Sequence, residues 1–170
     1  MTLEEFNALP NARAAEALTA CCGASRWVSA MAARRPFVNL SGLIAAANDI
    51  WRETTERDWL EAFDHHPRIG GTTSATQQDA RASSWSSVEQ SRAASANAEI
   101  KRQLADVNAD YEARFGHIYI VCAAGGSAEE LLAIARARLK NDAATELRVA
   151  AEEQRKITEL RLRKLFSEAS

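Results

Sequence analysis

Residues that break or staple a fold are scarce in this chain: three prolines, seven glycines and three cysteines among 170 positions. With so few helix breakers, long helical segments are expected to run uninterrupted. Cys21, Cys22 and Cys122 are odd in number and two are adjacent, which argues against a disulfide framework, and their spacing suggests no metal site. Positive charge is not in excess, since 21 Lys and Arg face 23 Asp and Glu, for a formal net charge of −2 and a pI near 6.0. No electrostatic case exists for nucleic acid or an acidic membrane as partner. The apolar runs fall far short of the roughly 18 residues that a membrane span needs. The opening MTLEEFNALP carries two acids and no apolar signal core, and the closing SEAS is no peroxisomal tripeptide. These features predict a cytoplasmic protein in a reducing compartment.

What is present is a soluble, globular composition, 46% hydrophobic and 26% charged. The length suits one domain, residues 1–170, with a core that needs no metal or disulfide. Alanine-rich periodic segments predict an all-α fold of about eight helices, near residues 3–8, 11–22, 26–34, 40–64 (broken into two), 86–114, 127–140 and 143–166. Cap signals mark most starts: Ser41 before Leu43, Ser86 with Glu89, Ser127 with Glu130, and Asn141 or Asp142 before the last helix. Gly23 and Gly116 read as stops. Two stretches break the pattern. Residues 70–87 are small and polar and read as a long loop. Ile118–Ala123 is β-branched and aromatic, an extended apolar segment with no partner strand, whose backbone groups need helix ends, side chains or a polar ligand.

Few residues stand out as chemistry. Gln154 and Arg161 fall inside the apolar stripe of the last helix, with Leu147, Ala150, Ile157 and Leu165. A guanidinium keeps its charge, so Arg161 either meets acceptors in the interior or lays its stem on core and its head in water. In DHHPRIG the helix through Trp59 and Phe63 must stop near His66, because the residue before Pro67 is pushed out of the α region. His66 then projects from a helix end, as an acid/base group or as a C-terminal cation favoured by the dipole. His65 and His66 are adjacent and cannot share a metal from one helix face; His117 reads as a surface residue. Ser86-Ser87-Val88-Glu89-Gln90 is a capping box, and the same geometry gathers a hydroxyl, a carboxylate and free amides that suit a polar substrate. The GGS at 125–127 reads as a cap, and no hydrolase, zincin or cysteine-nucleophile pattern occurs.

Five pieces in order, His66-Pro67, S-x-x-E-Q at 86–90, Leu104 through Asn108, Tyr111 and Arg114-Phe115-Gly116, Leu139 through Asn141-Asp142 to Thr145-Glu146, and Leu160-Arg161-Leu162, resemble the 2-oxo-4-hydroxy-4-carboxy-5-ureidoimidazoline (OHCU) decarboxylases of urate degradation. The resemblance spans essentially the whole chain, with Arg35-Pro36-Phe37 in the N-terminal half. It implies an all-α homodimer that turns its small-molecule substrate into (S)-allantoin without metal or organic cofactor. It also implies that His66, Glu89 and Arg161 are catalytic. Pro67, Ser86, Ser87, Val88 and Gln90 would bind substrate, together with the backbone of Tyr119, Ile120, Val121, Cys122 and Ala123. Two departures bear on pocket shape: Arg68-Ile69-Gly70 follows the HP pair, and His117-Ile118 follows Phe115-Gly116. The alternatives are a helical binding module without catalysis and a different small-molecule lyase on the same scaffold.

Overall fold

Capping chemistry decides where most of the helices begin. The structure is a computed structural model that describes residues 1–67, 98–122 and 126–167. Among the described residues there are eight helices and no strand: α1 (Leu3–Ala8), α2 (Asn11–Thr19), α3 (Ser25–Ala33), α4 (Leu40–Arg52), α5 (Glu56–Asp64), α6 (Ala98–Phe115), α7 (Ala128–Arg138) and α8 (Ala143–Ser167). Thr2 with Glu5 and Ser127 with Glu130 form reciprocal capping boxes at α1 and α7. Asp142 takes the Thr145 N–H at 2.9 Å at the head of α8. The break expected within 40–64 falls at Glu53–Thr55, where the Asp58 carboxylate accepts the Thr55 N–H at 2.7 Å and restarts the helix. That bond outweighs the opposing effect of burial and holds the Asp58 carboxyl below its ordinary range.

Three expectations about helix ends are corrected. Asn39, not Ser41, caps α4: its backbone is extended and its Oδ1 accepts the Gly42 N–H at 2.8 Å, so Ser41 lies inside the first turn. The second helix stops at Thr19 rather than Cys22, and the Cys21 amide turns back only three residues, onto the Leu18 carbonyl at 2.9 Å, a tighter step than the helical one of four. Gly23 is therefore not its stop. Gly116 is a true one: at φ +77° it adopts the left-handed conformation that closes α6, and its N–H reaches the Glu112 carbonyl at 2.9 Å. The loop expected at 70–87 and the start of the long helix at 86–97 lie outside the described residues.

The chain folds as two compact units, Met1–Ala62 with Arg155–Ser170, and Phe63–Gln154. In the first, α2 packs on α3 and α3 on α4. Phe6, Leu18, Trp27, Met31, Leu43, Leu162 and Leu165 are its most deeply buried large side chains. Arg35 ties down the N-terminal segment by donating to the Phe6 and Leu9 carbonyls at 2.9 and 2.7 Å, and the bond to Pro36 is cis. These residues of the Arg35-Pro36-Phe37 piece are thus structural.

In the second unit α6 packs on α7 around Leu104, Val107, Tyr111, Tyr119, Val121, Leu131 and Leu132. At about 1.5–3 kcal/mol for each fully buried large apolar side chain, such clusters supply most of the stabilisation. His117 is part of this interior and not of the surface. Only 8% exposed, it lies 5.3 Å from the Phe63 ring and 5.5 Å from that of Tyr111. Phe63, which comes from a distant part of the sequence, closes over the ring together with the nearby Tyr111.

Candidate active site

His66 stands where the sequence puts it. The fifth helix ends at Asp64, and the His66 N–H makes a last bond to the Phe63 carbonyl at 3.0 Å before Pro67 prevents another turn. Its ring is half-buried, and Nε2 lies 2.7 Å from Oε1 of Gln154. A carbonyl oxygen only accepts, so Nε2 carries the hydrogen and donates. Gln154 itself is wholly buried. The polar residue that interrupts the α8 stripe is therefore a partner of the histidine.

The segment after Gly116 takes no regular structure through Cys122, yet Tyr119, Ile120 and Val121 are buried and Cys122 partly so. Side chains from α7 and α8 partner two of its backbone groups, one of the sources the sequence left open. Arg138 Nη1 donates to the Ile120 carbonyl at 2.6 Å, and the Cys122 N–H donates to the Glu153 carboxylate at 2.7 Å. Arg138 is held in turn by Glu146, at 2.7 Å from Nε and 2.5 Å from Nη2. Glu146 also accepts from the Tyr111 hydroxyl and, at 2.9 Å, from Asn141 Nδ2. The Arg138 guanidinium lies 4.8 Å from the Tyr119 ring centroid. Burial, and then the Glu146 carboxylate, raise the Tyr111 phenol well above its ordinary value.

This Arg138–Glu146–Tyr111 cluster was missed from sequence. Arg138 lies in the last turn of α7 and Glu146 in the first turn of α8, positions where such charges suit the helix dipole and draw no notice. One signal was there to find. Leu131, Ala135 and Arg138 lie at steps of four and three on α7, so this arginine also falls in an apolar stripe.

Arg161 is buried, only 3% exposed, which favours the interior reading over a head group reaching water. Gln154, two helical turns earlier on α8, is buried as well, as the stripe required. Near Arg161 are Thr158 and Cys22: the Thr158 hydroxyl bonds the thiol and the arginine charge acts on it. Burial nevertheless dominates and pushes the Cys22 thiol from 9.0 to about 11, leaving it a neutral, unreactive group.

Pro67 follows His66 and is half-buried. Ser86, Ser87, Val88, Glu89, Gln90 and Ala123, and the Arg68-Ile69-Gly70 departure, lie outside the described residues. Among the described residues no three His, Cys, Asp or Glu side chains gather where they could hold a metal ion.

Comparison with known proteins gives a consistent family. Residues 7–163 match the profile described as OHCU decarboxylase. The chain is 39% identical over 149 residues to the "Uric acid degradation bifunctional protein TTL" of Arabidopsis thaliana, covering 87% of this chain but 46% of that protein. It thus spans about half the length of that relative. It is 27% identical over 168 residues to the 2-oxo-4-hydroxy-4-carboxy-5-ureidoimidazoline decarboxylase of Haloferax volcanii, covering 98% and 97% of the two chains. A solved structure described as "Crystal structure of OHCU decarboxylase in the presence of (S)-allantoin" superposes with a TM-score of 0.76 at 38% identity, over 89% of this chain and 98% of that one. By sequence and by fold, this chain belongs to the OHCU decarboxylase family.

Proposed function

We propose that this protein decarboxylates 2-oxo-4-hydroxy-4-carboxy-5-ureidoimidazoline to (S)-allantoin, as a carbon–carbon lyase of urate breakdown that uses no cofactor. One observation carries the reading: the family match extends from residue 7 to 163, a span that includes His66, Glu89 and Arg161. The chemistry suits a site built from side chains alone. The substrate's carboxylate sits on a carbon next to a C=N bond. Electrons released with CO2 flow into that bond, so the substrate supplies the sink that a cofactor ring otherwise provides. The enzyme is left to position the substrate, control charge and direct a proton to one face.

In this reading His66 hydrogen-bonds the hydroxyl on the reacting carbon and takes its proton as the enol becomes a ketone. Glu89 binds ring or ureido N–H groups and, by like charge, destabilises the neighbouring carboxylate. Arg161 holds ring oxygens and developing negative charge with its planar fork. Pro67, Ser86, Ser87, Val88 and Gln90, with backbone groups of residues 119–123, complete substrate binding. The burial of Arg161 supports this assignment, since a guanidinium acts on nearby charge more strongly in the low dielectric of an interior than in water.

The test is spectrophotometric. Urate is oxidised and hydrolysed in situ, and decay of the intermediate's ultraviolet absorbance is timed with and without the protein, while circular dichroism reads the allantoin formed. Faster decay with an (S)-allantoin signal is expected; decay at the spontaneous rate refutes the proposal. The same reading takes the chain as a single catalytic domain that works as a cytoplasmic homodimer, which light scattering checks for its mass.

A further inference from the structure

We infer that Gln154 is a positioning residue for His66, an inference that rests on the function proposed above. The observation is a mismatch between what packing favours and what the helix carries. Gln154 occupies a fully buried position on the apolar stripe of α8, where leucine or methionine would pack without a polar group to satisfy. Its Oε1 lies 2.7 Å from Nε2 of His66, and Phe63, one turn before His66, is itself fully buried.

The bond joins two parts of unequal rigidity. His66 lies beyond the end of α5, where the helix ladder has stopped. Gln154 lies mid-way along the 25-residue α8, held by helix on both sides. Rigid elements place reactive groups more accurately than loops do. The carbonyl oxygen can only accept, so it selects the imidazole form with hydrogen on Nε2 and directs Nδ1 to exchange the substrate's proton. When the ring gains that proton, the Nε2–H bond becomes charge-assisted and strengthens, and it holds the imidazolium in place. A misplacement of about 1 Å at such a group costs on the order of a hundredfold in rate.

The test uses the full chain. Gln154→Met keeps length and helix propensity but removes the acceptor, whereas Gln154→Glu restores an acceptor oxygen. In Gln154→Met, kcat is expected to fall about tenfold to a hundredfold with KM little changed, and Gln154→Glu is expected to recover part of it. In the His66→Ala background, Gln154→Met is expected to change kcat no further, since it acts through the imidazole. Nitrogen-15 imidazole spectra give a readout without turnover: a slowly exchanging Nε2–H in the wild type, absent in His66→Ala, and shifted or lost in Gln154→Met.

Equal losses from Gln154→Met in both backgrounds, a loss confined to KM, or an unchanged imidazole signal would overturn the inference. The two failures are distinguishable. A wild-type protein that does not accelerate decay refutes the proposed reaction even if the imidazole signal responds to Gln154→Met. An active wild type whose imidazole signal ignores that change refutes only the role of Gln154.

Discussion

Arg138→Met isolates what the buried ion pair does. The substitution keeps much of the aliphatic stem but removes the guanidinium, which is 7% exposed and bonded at once to Glu146 and to the Ile120 carbonyl. Glu146, wholly buried, would lose its cationic partner and keep Tyr111 and Asn141 among the partners described above. Removing one member of a buried pair costs about 3–5 kcal/mol, chiefly because the other charge remains desolvated. Against a total stability of about 5–15 kcal/mol for a domain, that is a large fraction. At this chain length each kcal/mol moves the melting point by about 2–4 °C, so a fall on the order of 10 °C is expected. Far-ultraviolet circular dichroism during thermal unfolding at neutral pH reads it. The double variant Arg138→Met with Glu146→Met removes both charges and should melt higher than the sum of the single losses predicts. If Arg138→Met melts within about 2 °C of the wild type, the pair does not anchor the 117–122 segment and the reasoning fails.

Three further outcomes follow from the same geometry. His66→Ala should lose at least about a hundredfold in turnover, the scale of acid–base catalysis, and melt a few degrees lower because Gln154 loses an imidazole partner; near-normal turnover would remove the proton-transfer role. Arg161→Lys keeps the charge but not the planar fork, so both substrate binding and turnover per folded molecule should fall, and a variant with wild-type kinetics would show that the fork is not used. The Cys22 thiol holds its proton to about 11 when folded against 9.0 ordinarily, so its contribution is complete below pH 9 and is lost as the pH rises through 11. That contribution is roughly 3 kcal/mol. Urea midpoints should therefore drop between about pH 8 and pH 11 more steeply in the wild type than in Cys22→Ala, and parallel pH profiles would contradict the assignment.

Local physics explains what was legible beforehand. A capping box is a contact between residues three apart, so Ser127 with Glu130 could be read directly and is formed as expected. A proline restricts the residue before it, so the end of α5 near His66 could be placed to within two residues. Helical period put Gln154 and Arg161 among buried positions, and both are buried. Where two local signals competed, sequence reasoning chose wrongly: Asn39 and Ser41 are both good caps, and only the backbone conformation at Asn39 selects between them. The Gly23 stop failed because the ladder already tightens at Cys21, whose amide bonds the Leu18 carbonyl three residues back.

By itself the sequence determined the all-α class, five of the eight helices to within about three residues, the end of α6, the fourth and fifth as one broken stretch, the position of His66 and the polar interruptions of the last apolar stripe. These depend on interactions within a few residues, whose geometry follows from helix period, capping and proline sterics. Only the tertiary structure decided what those interruptions meet. Gln154 is 88 residues from His66, Arg138 reaches back 18 residues to Ile120, and Cys122 finds its acceptor 31 residues on, at Glu153. No period or spacing encodes such distances; they are settled when helices pack and each buried polar group must find a partner.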